Sequence, residues 1–386
     1  MSAVAVDPRP RDLAAPKLAP SERITSIDIA RGAVMVLMAL DHVRVYSGLP
    51  PGGPTYGIFF TRWVTHFCAP AFFFLAGTGA FLRLRKRGDR AEMSRFLVTR
   101  GLFLVVLELT ILRFFWTFNF DYSHYLLAGV IWALGWCMVL LAAILWLPLP
   151  VVAVASLAVI GGHNLLPPPH AGISGFAQIL YYGGPVGILA VLYVIVPWVA
   201  VMSAGFAFGA IVRRRDLCVG IGLGAIALFL ILRGIDAYGD PRHWHSMPAQ
   251  VPFVIRFLNT TKYPASLDYL LMTLGPAILI LPFLPPVHGV TRVLDVFGRV
   301  PLFFYALHIP LIHVMACVVS LIRSGAVHPW LFTNHPMMNP EPPAGYTWSL
   351  GLLYLVWIIA IVLLWPVCQW YAKYKATHRS PWLSYL

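Results

Sequence analysis

Residues Ile24–Tyr46, ITSIDIARGAVMVLMALDHVRVY, decide the fold. Their length matches the roughly 20 residues that a helix needs to cross the hydrocarbon core of a bilayer, so the stretch reads as a first membrane span. It is nevertheless polar at both ends, with Asp28 and Arg31 at one and Asp41 and His42 at the other. Eleven residues separate Arg31 from His42. That is close to three helical turns, which places both side chains on nearly the same face about 16 Å apart. Ionisable residues within a span face protein or a water-filled cavity, so the pair marks a candidate functional site. The structural alternative is an i, i+3 ion pair between Asp28 and Arg31 near the interface and a histidine at the headgroup level.

The remainder of the chain has the same character. Of 386 residues 59% are hydrophobic and only 11% charged, with a mean hydropathy of +0.76. This composition excludes an ordinary soluble domain and leaves an all-α, polytopic membrane protein. The five cysteines stand singly in apolar runs with no C-x-x-C pair, which fits packing residues rather than a zinc or redox centre. A net charge of +13 invites a nucleic-acid reading, but in a membrane protein basic residues report topology first.

That topology follows from RLRKRGDRAEMSR (residues 83–95), the strongest basic cluster, which the positive-inside rule assigns to the cytoplasm. Residues 1–23 lack the apolar core of a signal peptide and read as a disordered cytoplasmic tail. The loop after the first span contains Pro50, Pro51, Gly52, Gly53 and Pro54. Further spans are expected at residues 63–82, 96–116, 125–147, 148–164, 184–212, 217–235, 264–284, 301–322 and 346–370. In the second, Pro70 is expected to break the helix, while Gly77 and Gly79 allow close helix contact. An inner loop carries His288, Arg292 and Arg299, and residues 373–386 form a basic cytoplasmic tail. The fold expected is one domain over 24–372 with about ten transmembrane helices and both termini cytoplasmic. Under this arrangement about 19 basic residues lie inside and about 8 outside, so topology absorbs the charge and no nucleic-acid partner is expected.

With this orientation Asp41, His42, His66, Arg113 and Lys262 converge toward the outer leaflet while Arg31 lies toward the inner side. The separation suits a reaction between a cytoplasmic donor and an external acceptor. His42 has the chemistry of a general base or acyl acceptor, and Asp41 is its neighbour in sequence. Adjacent helical side chains point about 100° apart, so Asp41 does not reach the His42 ring unless the helix ends there. His66 is the rival catalytic histidine. Glu108 is either a buried acid paired with an arginine or a proton-relay residue. His308 and His313, five apart, fall on different faces of one helix, and His243 and His245 lack a third ligand, so no metal site is expected.

Four blocks together resemble a known family. They are SIDIARGAVMVLMALDHVRVY (26–46), FTRWVTHFCAPAFFFLAGT (60–78), LNTTKYPASLDYLLMTLGP (258–276) and FGRVPLFFYALHIPLIH (297–313). The set is similar to bacterial membrane proteins with a heparan-alpha-glucosaminide N-acetyltransferase-like catalytic domain. The arginine and histidine of the first block also resemble those of the acyltransferase-3 type. The resemblance implies transfer of an acetyl or other acyl group from cytoplasmic acyl-CoA to an amine or hydroxyl of a sugar or glycoconjugate outside. It implies a plasma-membrane location, the inner membrane in a bacterium, with membrane lipid and acyl-CoA as partners; a homo-oligomer is also allowed. By motif position His42 corresponds to the essential histidine and Arg31, beside Asp28, to the donor-binding arginine. In the lysosomal enzyme that names the domain, the active histidine lies in the loop between the first two spans. Residues 43–61 contain no histidine here, so the role falls to His42 or His66. Arg113, Lys262, Tyr263, His313 and Glu108 are the expected substrate-pocket residues. The alternative reading is a transporter or carrier of a small or lipid-linked sugar without acyl chemistry.

Overall fold

A computed structural model describes residues 24–50, 55–170, 172–334, 341–378, 380, 383 and 385. The expected tail over 1–23, the Pro51–Pro54 part of the first loop and residues 379, 381, 382, 384 and 386 lie outside the described residues, and the expected basic tail begins inside a helix that runs to Thr377. The protein is 72% helix and 3% strand. Among the described residues, four helices are long and apolar enough to cross a membrane: Tyr56–Arg87 (α2), Arg215–Ile235 (α7), Pro301–Ser324 (α10) and Leu350–Thr377 (α11). Shorter apolar helices are Val130–Ile144 (α4), Leu149–Leu165 (α5), Trp198–Phe208 (α6) and Leu267–Phe283 (α8). The opening stretch forms α1, Thr25–Ser47, and stops where Gly48 takes the left-handed conformation at φ +70°.

Local sequence accounts for the boundaries. Gly88 at φ +77° ends α2, and Asp89 then accepts hydrogen bonds from the amides of Ala91 and Glu92 to start α3. Helix α3 runs Arg90–Leu107, widens into a π-helical turn over Glu108–Leu112 and finishes as Arg113–Thr117. Ser266 and Ser349 cap α8 and α11 by accepting from the amides three residues on. Pro70 does not break α2. A 3-10 turn over Val64–Phe67, which contains His66, precedes it, and the helix continues to Arg87.

Two further expectations need correction. Residues 184–212 are not one span, because strands Gly184–Val186 (β2) and Leu189–Val191 (β3) occupy its first part and only α6 is helical. Gly183, Gly184 and Gly187 all have positive φ there, and Pro185 and Pro197 withhold amide donors, so a helix is blocked. With Leu126–Ala128 (β1) these strands form a sheet of order β1-β3-β2, β1 running parallel to β3 and β2 antiparallel to it. The fold is mostly helical, as expected, with this one small sheet. The segment with Arg292 and Arg299 is also no loop. It forms an amphipathic helix, Gly289–Arg299 (α9), packed along α1.

Helix α1 is the central strut, in contact with α2, α9, α10 and α11. Its closest neighbour is α9. A Cβ at Gly32 would lie 1.8 Å from the Leu294 carbonyl oxygen, and one at Gly298 would lie 1.8 Å from that of Asp28. Gly77 likewise lets α2 meet α6, its missing Cβ lying 1.8 Å from the Met202 carbonyl oxygen. Gly79 makes no such contact and instead leaves room for the Arg31 guanidinium, 3.6 Å from its Cβ position.

Candidate active site

The α1–α9 contact delivers Arg31. Its guanidinium lies 3.4 Å from the Asp28 carboxylate and donates to the carbonyls of Gly298 and Leu75 at 3.4 and 3.5 Å. Arg31 borders a cavity of about 260 Å³ enclosed by α1, α2, α3, α4 and the first turns of α10. Arg83 and Arg100 line it too, both over the Phe96 ring at 3.6 and 5.8 Å from its centroid. Beyond the three guanidiniums the walls are apolar, with Met35, Leu104, Ile131 and Leu302 among them, and Tyr305 also borders it. The cavity thus pairs a cationic end with an oily channel, a combination suited to an anionic head on a narrow, mostly apolar arm.

His42 and His308 lie next to Tyr305. The Tyr305 ring presents its edge at 6.1 Å to the His42 ring and at 5.2 Å to the His308 ring. His42 Nδ1 and His308 Nε2 are 2.6 Å apart, and Trp116 closes on His42 edge-to-face at 4.6 Å. Both histidines are buried, His42 at 9% exposure and His308 at 0%. The sequence reading did not put His308 in the site. Its spacing to His313 speaks only to a metal pair, and no local signal announces a partner on α1.

Asp41 points elsewhere, as helical geometry requires. It receives Arg44 at 3.0 Å and Lys262 at 4.0 Å, and Lys262 sits 5.2 Å from the Tyr263 ring centroid. Burial opposes the Lys262 ammonium, but Tyr263 and Asp41 outweigh it and hold its pKa above the ordinary lysine value. His66 is buried, and among the described residues neither of its ring nitrogens finds a hydrogen-bond partner. Asp41, Lys262, Tyr263 and His66 therefore gather on the α1 end opposite Arg31.

The other expected pocket residues do not line the cavity. Glu108 sits under the start of α4, where a Cβ at Gly129 would lie 2.5 Å from its carboxylate, facing the amides of Ile131 and Trp132. Among the described residues neither carboxyl oxygen has a hydrogen-bond partner. Arg113 is fully buried and donates to the carbonyls of Tyr125, Asn119 and Asp121, which fixes the turn after α3. His313 has its ring nitrogens on the Phe115 and Leu331 carbonyls at 3.0 and 2.9 Å and lies flat against Phe118. His243 and His245 both bond to Asp236, His243 through its backbone carbonyl and His245 through its carboxylate. These residues have structural work in hand.

A helical integral membrane protein with a cationic, apolar-walled cavity leading toward buried histidines is the class that fold and site define. The chain belongs to the heparan-alpha-glucosaminide N-acetyltransferase catalytic family, whose model matches residues 23–239, and the family is one of membrane acetyltransferases. No curated protein matches the chain. Helices α1 to α7 fall within the matched part, whereas Lys262, Tyr305 and His308 lie beyond it.

Proposed function

We propose that the protein moves an acetyl or other acyl group from acyl-CoA, bound at the Arg31 end, to an amine or hydroxyl of a sugar or glycoconjugate at the Asp41 end. The basic end faces the cytoplasm in this reading, in a ten-span plasma-membrane protein with both termini inside. The supporting observation is the cavity. Arg31, Arg83 and Arg100 suit the phosphates of the nucleotide, since guanidiniums make paired, charge-assisted hydrogen bonds to phosphoryl oxygens. The walls between Met35 and Leu302 suit the pantetheine arm. Tyr305 separates the cavity from His42, so its side chain swings aside as the thioester arrives.

His42 is then the general base. It takes the proton of the acceptor hydroxyl or amine as the oxygen or nitrogen attacks the thioester carbonyl. The carbon–sulfur bond breaks, and the departing thiolate recovers the proton from the imidazolium. On the acceptor side, the ring nitrogens of His66 offer one donor and one acceptor, which complements a sugar hydroxyl, and Lys262 with Asp41 and Tyr263 adds polar contacts. A carrier without chemistry would use helices broken at mid-membrane, but α8 and α10 run on through Pro276 and Pro310.

The test is label transfer from acetyl-CoA by purified, reconstituted protein. His42→Ala abolishes turnover and His66→Ala raises the acceptor KM while turnover persists. Absence of donor binding and turnover by the native protein with any acyl-CoA would overturn the proposal.

A further inference from the structure

The His42–His308 contact carries a second conclusion, which rests on the acyltransferase reading and adds a residue outside the family-matched region. His308 Nδ1 lies 3.0 Å from the Phe304 carbonyl oxygen one turn earlier on α10. A carbonyl only accepts, so Nδ1 carries the proton and donates it. In a neutral imidazole the other nitrogen is then a bare lone pair. That nitrogen, Nε2, is the one 2.6 Å from His42 Nδ1, so the proton between the rings belongs to His42. The ring geometry agrees. The centroids are 4.8 Å apart with an interplanar angle of 18°, a separation that matches one ring radius on each side of the 2.6 Å contact. The two imidazoles therefore meet edge to edge in nearly one plane, as an N–H···N hydrogen bond requires, rather than face over face.

We infer that His308 is the positioning residue of the active histidine, holding His42 as the Nδ1–H tautomer so that its Nε2 presents a lone pair to the acceptor. The chain Phe304 carbonyl, His308, His42 takes the part that a carboxylate plays where a histidine base is oriented by an acid. Asp41 cannot serve, because it is turned away toward Arg44 and Lys262. When His42 Nε2 gains the acceptor's proton, its Nδ1 proton remains in the short contact and the positive charge is shared with the His308 ring. No proton is lost, and the one on Nε2 passes to the leaving thiolate. Trp116 packs edge-to-face on the His42 ring at 4.6 Å and Phe304 lies 5.2 Å from the His308 ring, so both imidazoles are held by neighbours other than Tyr305.

Two variants and two readouts test the assignment. In His308→Leu the acceptor for Nδ1–H is gone, and kcat falls about 100-fold or more, the scale of general-base catalysis, while KM for acetyl-CoA stays within about twofold. In His308→Gln the side-chain carbonyl accepts from Nδ1–H, and kcat recovers to within about tenfold of the native value. Nitrogen-15 spectra of histidine-labelled protein, with the His42 signals identified through His42→Gln, show protonated Nδ1 in the native protein and in His308→Gln. They show a tautomer mixture in His308→Leu. Native kcat in His308→Leu, or equal losses in both variants that track lost thermal stability, would overturn the inference. Should the native protein transfer no acyl group from any acyl-CoA, the acyltransferase reading fails. The spectra still decide the pairing: protonated Nε2 on His42 in the native protein refutes it.

Discussion

Replacing Gly32 by alanine tests whether the α1–α9 contact positions the Arg31 end of the cavity. The added Cβ would stand 1.8 Å from the Leu294 carbonyl oxygen, where real Cβ contacts essentially never fall below 3.0 Å. The helices must therefore part by at least 1.2 Å, the gap between those two distances. The obstacle is backbone on a helix packed along its length, so no rotamer change relieves it. Forced overpacking of this kind costs about 1–3 kcal/mol. The functional cost is separate. Arg31 reaches the Gly298 carbonyl at 3.4 Å across the same contact, and a further 1.2 Å takes that bond beyond hydrogen-bonding range. Misplacement of about 1 Å in a binding constellation costs on the order of 100-fold in rate. The assay compares unfolding in detergent and donor kinetics for Gly32→Ala, for Gly298→Ala, whose Cβ meets the Asp28 carbonyl oxygen, and for the double variant. Both single variants are destabilised and raise the acyl-CoA KM, and the double variant costs less than the sum because one separation relieves both clashes. Gly224→Ala on α7, with nothing within 4 Å of its Cβ position, is the control that keeps native stability or gains slightly. Native stability and native KM in Gly32→Ala would refute the reasoning.

Other perturbations follow from the same geometry. Tyr305→Ala removes the ring between the cavity and His42, so acyl-CoA hydrolysis without acceptor rises, whereas Tyr305→Phe keeps the barrier; thiol release measured without acceptor distinguishes them. Arg83→Gln and Arg100→Gln each raise the donor KM about tenfold with kcat nearly unchanged, since a charged hydrogen bond is worth about 1.5–3 kcal/mol. Equal kinetics in native and doubly substituted protein would place the nucleotide elsewhere. Asp236 follows α7, where burial pushes its carboxyl up but the His245 side chain, the amides of His245 and Trp244, and Arg233 outweigh it and hold the pKa below the ordinary 3.8. A lowered folded pKa gives stability that is present above the ordinary value and is lost as pH falls through the folded one. Asp236→Asn therefore lowers the unfolding midpoint at pH 7, and its deficit shrinks as the pH is taken below 3.8.

What the sequence made legible depended on how far apart the determining groups lie along the chain. The opening stretch forms one helix because its signal is continuous, and its polar ends were visible because ionisable groups are rare in apolar runs. Arg31 borders the cavity. Residues 184–212 misled because hydropathy reports an apolar segment without its backbone; positive-φ glycines at 183, 184 and 187 and two prolines turn much of it into a hairpin and a shortened helix. Glu108, Arg113 and His313 show the opposite failure. Each stood out as a polar residue in an apolar run, yet Arg113 holds the turn after α3 through its carbonyls, His313 lies between the Phe115 and Leu331 carbonyls, and Glu108 is packed under the start of α4, away from the cavity.

His308 escaped the sequence reading because its partner lies 266 residues away. On a helix its neighbours at three and four positions are Tyr305, Phe304, Leu311 and Ile312, none of which marks it as a site. Only the packing of α9 and α10 along α1, with Gly298 of α9 beside Arg31 and His308 of α10 beside His42, brings the two imidazoles level. That register also explains why one helix face carries both ends of the proposed reaction. Helix α9 locks the Arg31 end of α1 through paired glycines, and the chain passes from Arg299 through Val300 directly into α10. The same short connection therefore fixes the height of Tyr305 and His308 against α1. A one-residue insertion at Val300 would rotate α10 by about 100° and raise it by about 1.5 Å, separating His308 from His42 while leaving Arg31, Arg83 and Arg100 in place. Such a variant keeps the three guanidiniums, binds acetyl-CoA more weakly because Leu302 and Tyr305 turn out of the cavity wall, and loses transfer. If it kept transfer, the α10 register would not set the reacting geometry.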